Sequence, residues 1–169
     1  YTIRMTEFAT PALAVDQSNT DGNDETHFGA ASGTRKVAQS FVAGSTGNLS
    51  KITVDFKKAS SSSPTDSLSA TIQSDNSDSP SGTALSSATT LSSGSIGAGS
   101  WGTHEFVFSS GASVVSGTKY WIHVERSPDP DKYDDGGYYV KRANGSVTGY
   151  EDGKCVKWDG SSWSDVNGT

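Results

Sequence analysis

Apolar and polar residues alternate along most of the chain between residues 39 and 125, with Ser, Gly, Thr, Asn and Pro in the intervals. In the run 51–58, Ile52, Val54 and Phe56 share one face while Thr53, Asp55 and Lys57 share the other. A period of two marks a strand with one dry and one wet side, because successive side chains leave a pleated backbone in opposite directions. The pattern returns at Leu68, Ala70 and Ile72, at Phe106 and Phe108, and at Tyr120, Ile122 and Val124. Further strands are predicted over 2–8, 36–42, 138–142 and 154–158. Helical periodicity does not fill any window of about 11 residues.

Between these runs, 60–64 and 76–82 combine Ser, Asn, Asp and Gly with Pro, which fixes φ, so both read as turns. The Ser/Gly-rich stretch 91–99 reads as a connection anchored by Leu91 and Ile96. Residues 16–34 are polar and show neither period, which makes them a long loop or arm. The predicted fold is all-β, an antiparallel β-sandwich of jelly-roll-like form with about eight or nine strands. Residues 1–35 form an N-terminal strand, arm and polar loop, and residues 36–169 form the sandwich.

Composition narrows the function. Hydrophobic residues make up 32% and charged residues 19% of 169, a mixture typical of extracellular β-proteins with many turns. The net charge of −6 argues against a nucleic-acid surface, which needs clustered Lys and Arg to neutralise phosphates. Arg35-Lys36, Lys57-Lys58 and Lys141-Arg142 are isolated basic pairs. Cys155 is the single cysteine, so the core is held without an intrachain disulfide, and its strand-like setting points to burial rather than reactivity. No apolar run reaches the ~18 residues of a membrane span.

Three segments carry a resemblance to a known family: 38–43 (AQSFVA), 74–85 (SDNSDSPSGTAL) and 116–122 (SGTKYWI). Their order resembles the jelly-roll modules of the choice-of-anchor type, found in bacterial, archaeal and phage surface proteins. The likeness spans residues 36–163. It implies a non-catalytic display module on a secreted protein or virion, and the matching positions are turns and core strands rather than functional residues.

Two constellations carry candidate chemistry. Asp129, Asp131, Asp134 and Asp135 fall within seven residues, and several oxygen ligands suit a hard cation, so a structural calcium is the candidate ion. They lack the EF-hand spacing. The second constellation is aromatic: Trp101, Trp121, Trp158 and Trp163, with Tyr133, Tyr138, Tyr139 and Tyr150. Rings on a sandwich face can stack on the apolar faces of sugars, or fill a core poor in Leu and Met. Alternation sends Trp121 and His123 away from Tyr120, Ile122 and Val124, either outward or into a second layer. Of the adjacent Tyr138 and Tyr139, one turns away from the core. The candidate ligand-binding residues are therefore Trp121, His123, Tyr138, Tyr139 and Trp163.

His27, His104 and His123 lie on separate segments without metal-like spacing, and no Gly-x-Ser-x-Gly elbow occurs, so no enzyme and no catalytic residues are expected. Asn48, Asn144 and Asn167 each open an N-glycosylation acceptor pattern. Two functions follow. One is a structural protein of an extracellular or virion surface, a decoration, fibre or filament subunit that assembles through its N-terminal arm with copies of itself or with a virion or surface scaffold. The other is a carbohydrate-binding or adhesion module with glycans as partners.

Overall fold

A computed structural model of the chain describes residues 24–29, 33–60, 64–128, 136–142 and 153–166. Among them are ten strands: β1 (Asp24–Phe28), β2 (Lys36–Val42), β3 (Gly47–Lys58), β4 (Ser67–Asp75), β5 (Pro80–Ser87), β6 (Gly102–Val114), β7 (Lys119–Ser127), β8 (Tyr138–Arg142), β9 (Cys155–Trp158) and β10 (Trp163–Asp165). They build two antiparallel sheets, one in the order β1-β8-β3-β6 and the other β10-β9-β2-β7-β4-β5. The orders 1-8-3-6 and 2-7-4-5 give the jelly-roll sandwich that the alternation predicts, with the β9–β10 hairpin added beside β2.

Three strands escape the sequence pattern. β1 lies inside the stretch read as a loop; it is five residues long, and its inward pair is Thr26 and Phe28, so the apolar signal rests on one residue. β5 carries two register irregularities against β4, and most of its residues are exposed, which erases alternation. β10 has only three residues. The predicted strand at 2–8 and most of the predicted arm lie outside the described residues.

The core between the sheets is aromatic where Leu and Met are scarce. Phe28, Phe56, Phe106 and Tyr138 have no exposed surface, and Phe56 meets Phe106 edge-on at 6.1 Å between centroids. Leu68, Ala70 and Ile72 of β4 and Val124 of β7 face them across the sandwich. Ile96 is 2% exposed, and Leu91 packs against the same cluster, so both expected anchors hold the 91–99 connection down.

One core position is charged. Alternation along β7 runs Tyr120, Ile122, Val124 and then Arg126, which is 1% exposed. Its Nη1 donates to the carbonyls of Gly29 at 2.9 Å and Gly136 at 3.0 Å, and its Nη2 to Asp66 Oδ2 at 3.0 Å. The Tyr138 ring lies 6.0 Å from the guanidinium, and its hydroxyl donates to the Asp66 carbonyl at 2.5 Å. A buried charge is tolerable only when paired and hydrogen-bonded, and this one links the end of β1 with the segments entering β4 and β8. Gly29 serves this clamp through its shape: φ is +67°, and a Cβ there would lie 2.7 Å from Arg126 Cδ.

Arg126→Met is expected to remove about 3–5 kcal/mol of stability, because it takes a buried donor from the Gly29 and Gly136 carbonyls and from the part-buried Asp66 carboxylate together. Gly29→Ala is expected to cost at least about 1–2 kcal/mol from the left-handed backbone alone. Urea denaturation of the two variants beside the parent chain measures both.

Candidate functional site

Each sheet turns one face outward, and the two outer faces differ. On the six-stranded sheet, Trp121 and His123 of β7 stand beside Ser40 and Ala38 of β2, and Val156 of β9 lies next to Ala38. Trp121 is 0% exposed and donates from Nε1 to Asp75 Oδ1 at 2.7 Å. Ala38, Trp121 and Val156 form a second small core, with Trp163 of β10 packed against it. Trp163 meets His123 edge-on at 5.7 Å and Trp158 at 5.5 Å. Of the two alternatives left open for Trp121 and His123, outward exposure or a second layer, both side chains take the second: they are buried in this small layer on the outer face.

His123 sits in a polar chain running across this layer. Gly82 N donates to Gln73 Oε1, Gln73 Nε2 to Thr71 Oγ1, and Thr71 Oγ1 lies 3.2 Å from His123 Nδ1. Thr71 has a second lone pair and its own proton, so which partner donates in this last bond follows the imidazole tautomer. Nε2 faces Glu125 at 3.7 Å, and Glu125 pairs with Lys36 at 2.8 Å. Burial pushes the His123 pKa down to about 4, against the pull of Glu125 and with a smaller push from Lys36. The imidazole is neutral at neutral pH. Cys155, also buried, has its thiol pushed up to about 12, so it stays protonated.

The outer face of the four-stranded sheet is open and charged. One cross-strand row runs His27, Tyr139, Lys57, because β8 pairs with β1 on one side and β3 on the other. Trp101 follows Lys57 in the row, since Phe56 pairs with Gly102. His27 and Tyr139 stack at 4.4 Å with their planes 11° apart. Lys57 Nζ lies 4.9 Å from the Tyr139 centroid and 4.5 Å from that of Trp101. These distances fit cation–π contacts, so the rings form a ladder gripping a lysine rather than a bare stacking platform. Burial lowers the His27 pKa, opposed by Glu25.

The next row carries Glu25, Lys141, Asp55 and Thr103. Glu25 pairs with Lys57 at 2.6 Å and Asp55 with Lys141 at 3.3 Å. The Thr103 hydroxyl, bonded at 2.5 Å, and then Lys141 hold the Asp55 carboxyl below its usual range. At the end of this face a cleft of about 290 Å³ is lined by Glu25, Lys57, Lys58, Ser60, Gly99 and Tyr139.

Searches of protein-family models, curated proteins and solved structures find no match to this chain.

The five expected ligand-binding side chains do not gather in one place. Tyr138 is buried in the core on the Arg126 clamp, and Trp121 and His123 are buried under the second layer, so none of the three offers a surface to a ligand. Alternation fixes the face of a residue but not whether another element covers that face, and β10 covers theirs. Trp163 is half-buried on the six-stranded sheet, and Tyr139 alone lines the cleft on the opposite side. Glu25, Lys57 and Ser60 join it from segments read as loop, strand end and turn. The one available signal was that Lys57 and Tyr139 both sit at outward positions of predicted strands.

Asp129, Asp131, Asp134 and Asp135 lie outside the described residues, as do Asn144 and Asn167. Among the described residues no three His, Cys, Asp or Glu side chains gather in a way that holds a metal ion. Asn48 is exposed on β3 and accepts from the Ser113 hydroxyl at 3.0 Å.

The unfolded chain protonates His123 near 6.5 and the folded chain near 4, so acid favours unfolding across that interval. Stability is expected to fall by up to about 3 kcal/mol between pH 7 and pH 4, and His123→Gln to flatten this slope. Asp55 and Asp78, both held below 3.8, add their losses only at lower pH. Thermal melts of parent and variant across the range separate the two windows.

Proposed function

We propose that this chain is a non-catalytic display module of an extracellular or virion surface, joined to copies of itself through its N-terminal segment. One observation carries the proposal. That segment enters the fold as β1, the edge strand of the four-stranded sheet, paired on one side by β8. A strand-forming arm leaving at a sheet edge is placed to add to the edge of a neighbour, where backbone hydrogen bonds supply affinity and side-chain pockets supply register. The resemblance of segments 38–43, 74–85 and 116–122 to choice-of-anchor jelly-roll modules supports the same reading. The chemistry of the buried groups agrees with it: His123 and Cys155 are held neutral inside packed layers, which is the setting of structural rather than catalytic side chains.

A second role, adhesion to glycans, is favoured by the polar cleft beside Tyr139 on the open face. The two roles are compatible, because the cleft and the outer edge of β1 among the described strands are different surfaces.

Deleting residues 1–23 is expected to convert the assembled species to monomer while leaving the melting transition of the sandwich in place. Sedimentation velocity of the parent and truncated chains checks this, and an unchanged assembly sinks the proposal. Immunogold microscopy of the native source should place label in a regular array on capsids, tails or filaments.

A further inference from the structure

We infer that the cleft at the end of the four-stranded sheet binds a neutral saccharide unit through Glu25, Lys57, Ser60 and Tyr139. This rests on the adhesion reading above and gives it a site and a ligand class.

The walls are fixed before any ligand arrives. Lys58 N donates to the Gly97 carbonyl at 2.8 Å, and Gly99 N to the Lys58 carbonyl at 2.9 Å, so the 97–99 segment is strapped to the end of β3. Ala59 N donates to the Gly137 carbonyl at 3.3 Å, tying the same end to the segment entering β8. Gly99 has φ +70°, and a Cβ there would come within 3.3 Å of Ser60 Cβ, so a larger residue would crowd Ser60. The ladder of His27, Tyr139 and Trp101 sets Lys57 in place. Preorganisation of this kind spares the ligand the cost of ordering its site.

The polar groups lining the cleft match a polyol. Lys57 occupies Glu25 Oε2, while Glu25 Oε1, the Tyr139 hydroxyl and the Ser60 hydroxyl have no hydrogen-bond partner among the described residues. Lys57 keeps N–H donors beyond the one given to Glu25. A carboxylate oxygen, an ammonium and two hydroxyls around one cleft supply the alternating donors and acceptors that vicinal sugar hydroxyls require. Tyr139 and Trp101 are packed within the ladder, so recognition here rests on hydrogen bonds more than on ring stacking.

Charge and size select within that class. Glu25 and Lys57 cancel each other, while the Lys58 ammonium keeps its charge but is turned to the Ser93 carbonyl at 3.0 Å. The net charge of −6 on the chain repels a carboxylated or sulfated sugar at long range, which leaves neutral sugars favoured at this face. A volume of about 290 Å³ is at the small end of ligand sites, so it takes one or two sugar rings of a longer chain.

The test is an array of neutral oligosaccharides printed beside sialylated and sulfated ones, probed with the full chain and with Tyr139→Phe and Glu25→Gln. Tyr139→Phe keeps the ring stacked on His27 and removes only the hydroxyl, so it guards against a fold defect. Binding to neutral glycans, weakened roughly tenfold or more in both variants at an unchanged melting temperature, is the expected result. Binding confined to acidic glycans, or neutral binding untouched by both variants, overturns the cleft assignment and leaves adhesion standing. No binding to any printed glycan overturns adhesion and the cleft together.

Discussion

The buried guanidinium of Arg126 is the constraint from which the rest of the described fold follows. It occupies the position where the core stripe of β7 would otherwise end, and it satisfies the carbonyls of Gly29 and Gly136 and the carboxylate of Asp66 at once. Those three groups belong to segments flanking β1, β8 and β4, so one side chain from the six-stranded sheet holds two neighbouring strands of the other sheet. The clamp also sets the facing of β8. Tyr138 lies over the guanidinium and donates to Asp66, so it must point inward, and the pleat then sends Tyr139 and Lys141 outward. A slip of one residue would bury Tyr139 and expose Tyr138. The open face, with its row of rings and lysines, is thus fixed from the core outward.

The same dependence explains what the sequence made legible. Wherever a strand has at least two large apolar residues on one face, as at Ile52 and Phe56 or at Leu68 and Ile72, period two alone finds it. β1 lacks that, since Thr26 is half of its inward pair, yet the jelly-roll order requires a strand beside β8. The long β5 is invisible for a different reason: an irregular edge strand exposes both of its faces, and alternation reports burial rather than hydrogen bonding. Arg126 was within reach of the pattern, as the fourth member of the series Tyr120, Ile122, Val124. Charge hides such a position, because arginine is ordinarily read as surface.

The site was harder to read, because it depends on coverage. Trp121 and Tyr139 are both aromatic residues at positions whose facing the pleat decides, and the sequence treats them alike. Their fates diverge because the β9–β10 hairpin, added to one sheet, brings Val156 and Trp163 to pack on its outer face, and no comparable cluster among the described residues covers the other. The polar chain from Gln73 through Thr71 to His123 belongs to this part-buried layer, where water competes less for its hydrogen bonds. Glu25 and Lys57 are 32 residues apart in sequence and meet only because β1 and β3 flank β8. No local motif encodes such a pair.

The sheet edges connect the fold to assembly. A sandwich leaves four edge strands, and unprotected edges invite indiscriminate pairing. β10 is three residues long, and β5 is broken by two irregularities against its neighbour. On β6, the Val107 carbonyl is taken by Thr89 N at 3.0 Å, which interrupts that edge near its middle. β1 is protected chiefly by being short and by carrying Asp24 and Glu25, both paired within the sheet to Arg142 and Lys57. It is also the strand from which residues 1–23 depart. An edge guarded by length and charge rather than by distortion keeps a regular ladder, and a regular ladder is what an added strand needs. Among the described edges, β5 and β6 discourage pairing by interruption and β10 by its brevity, and the assembly proposed above rests on the regular ladder of β1.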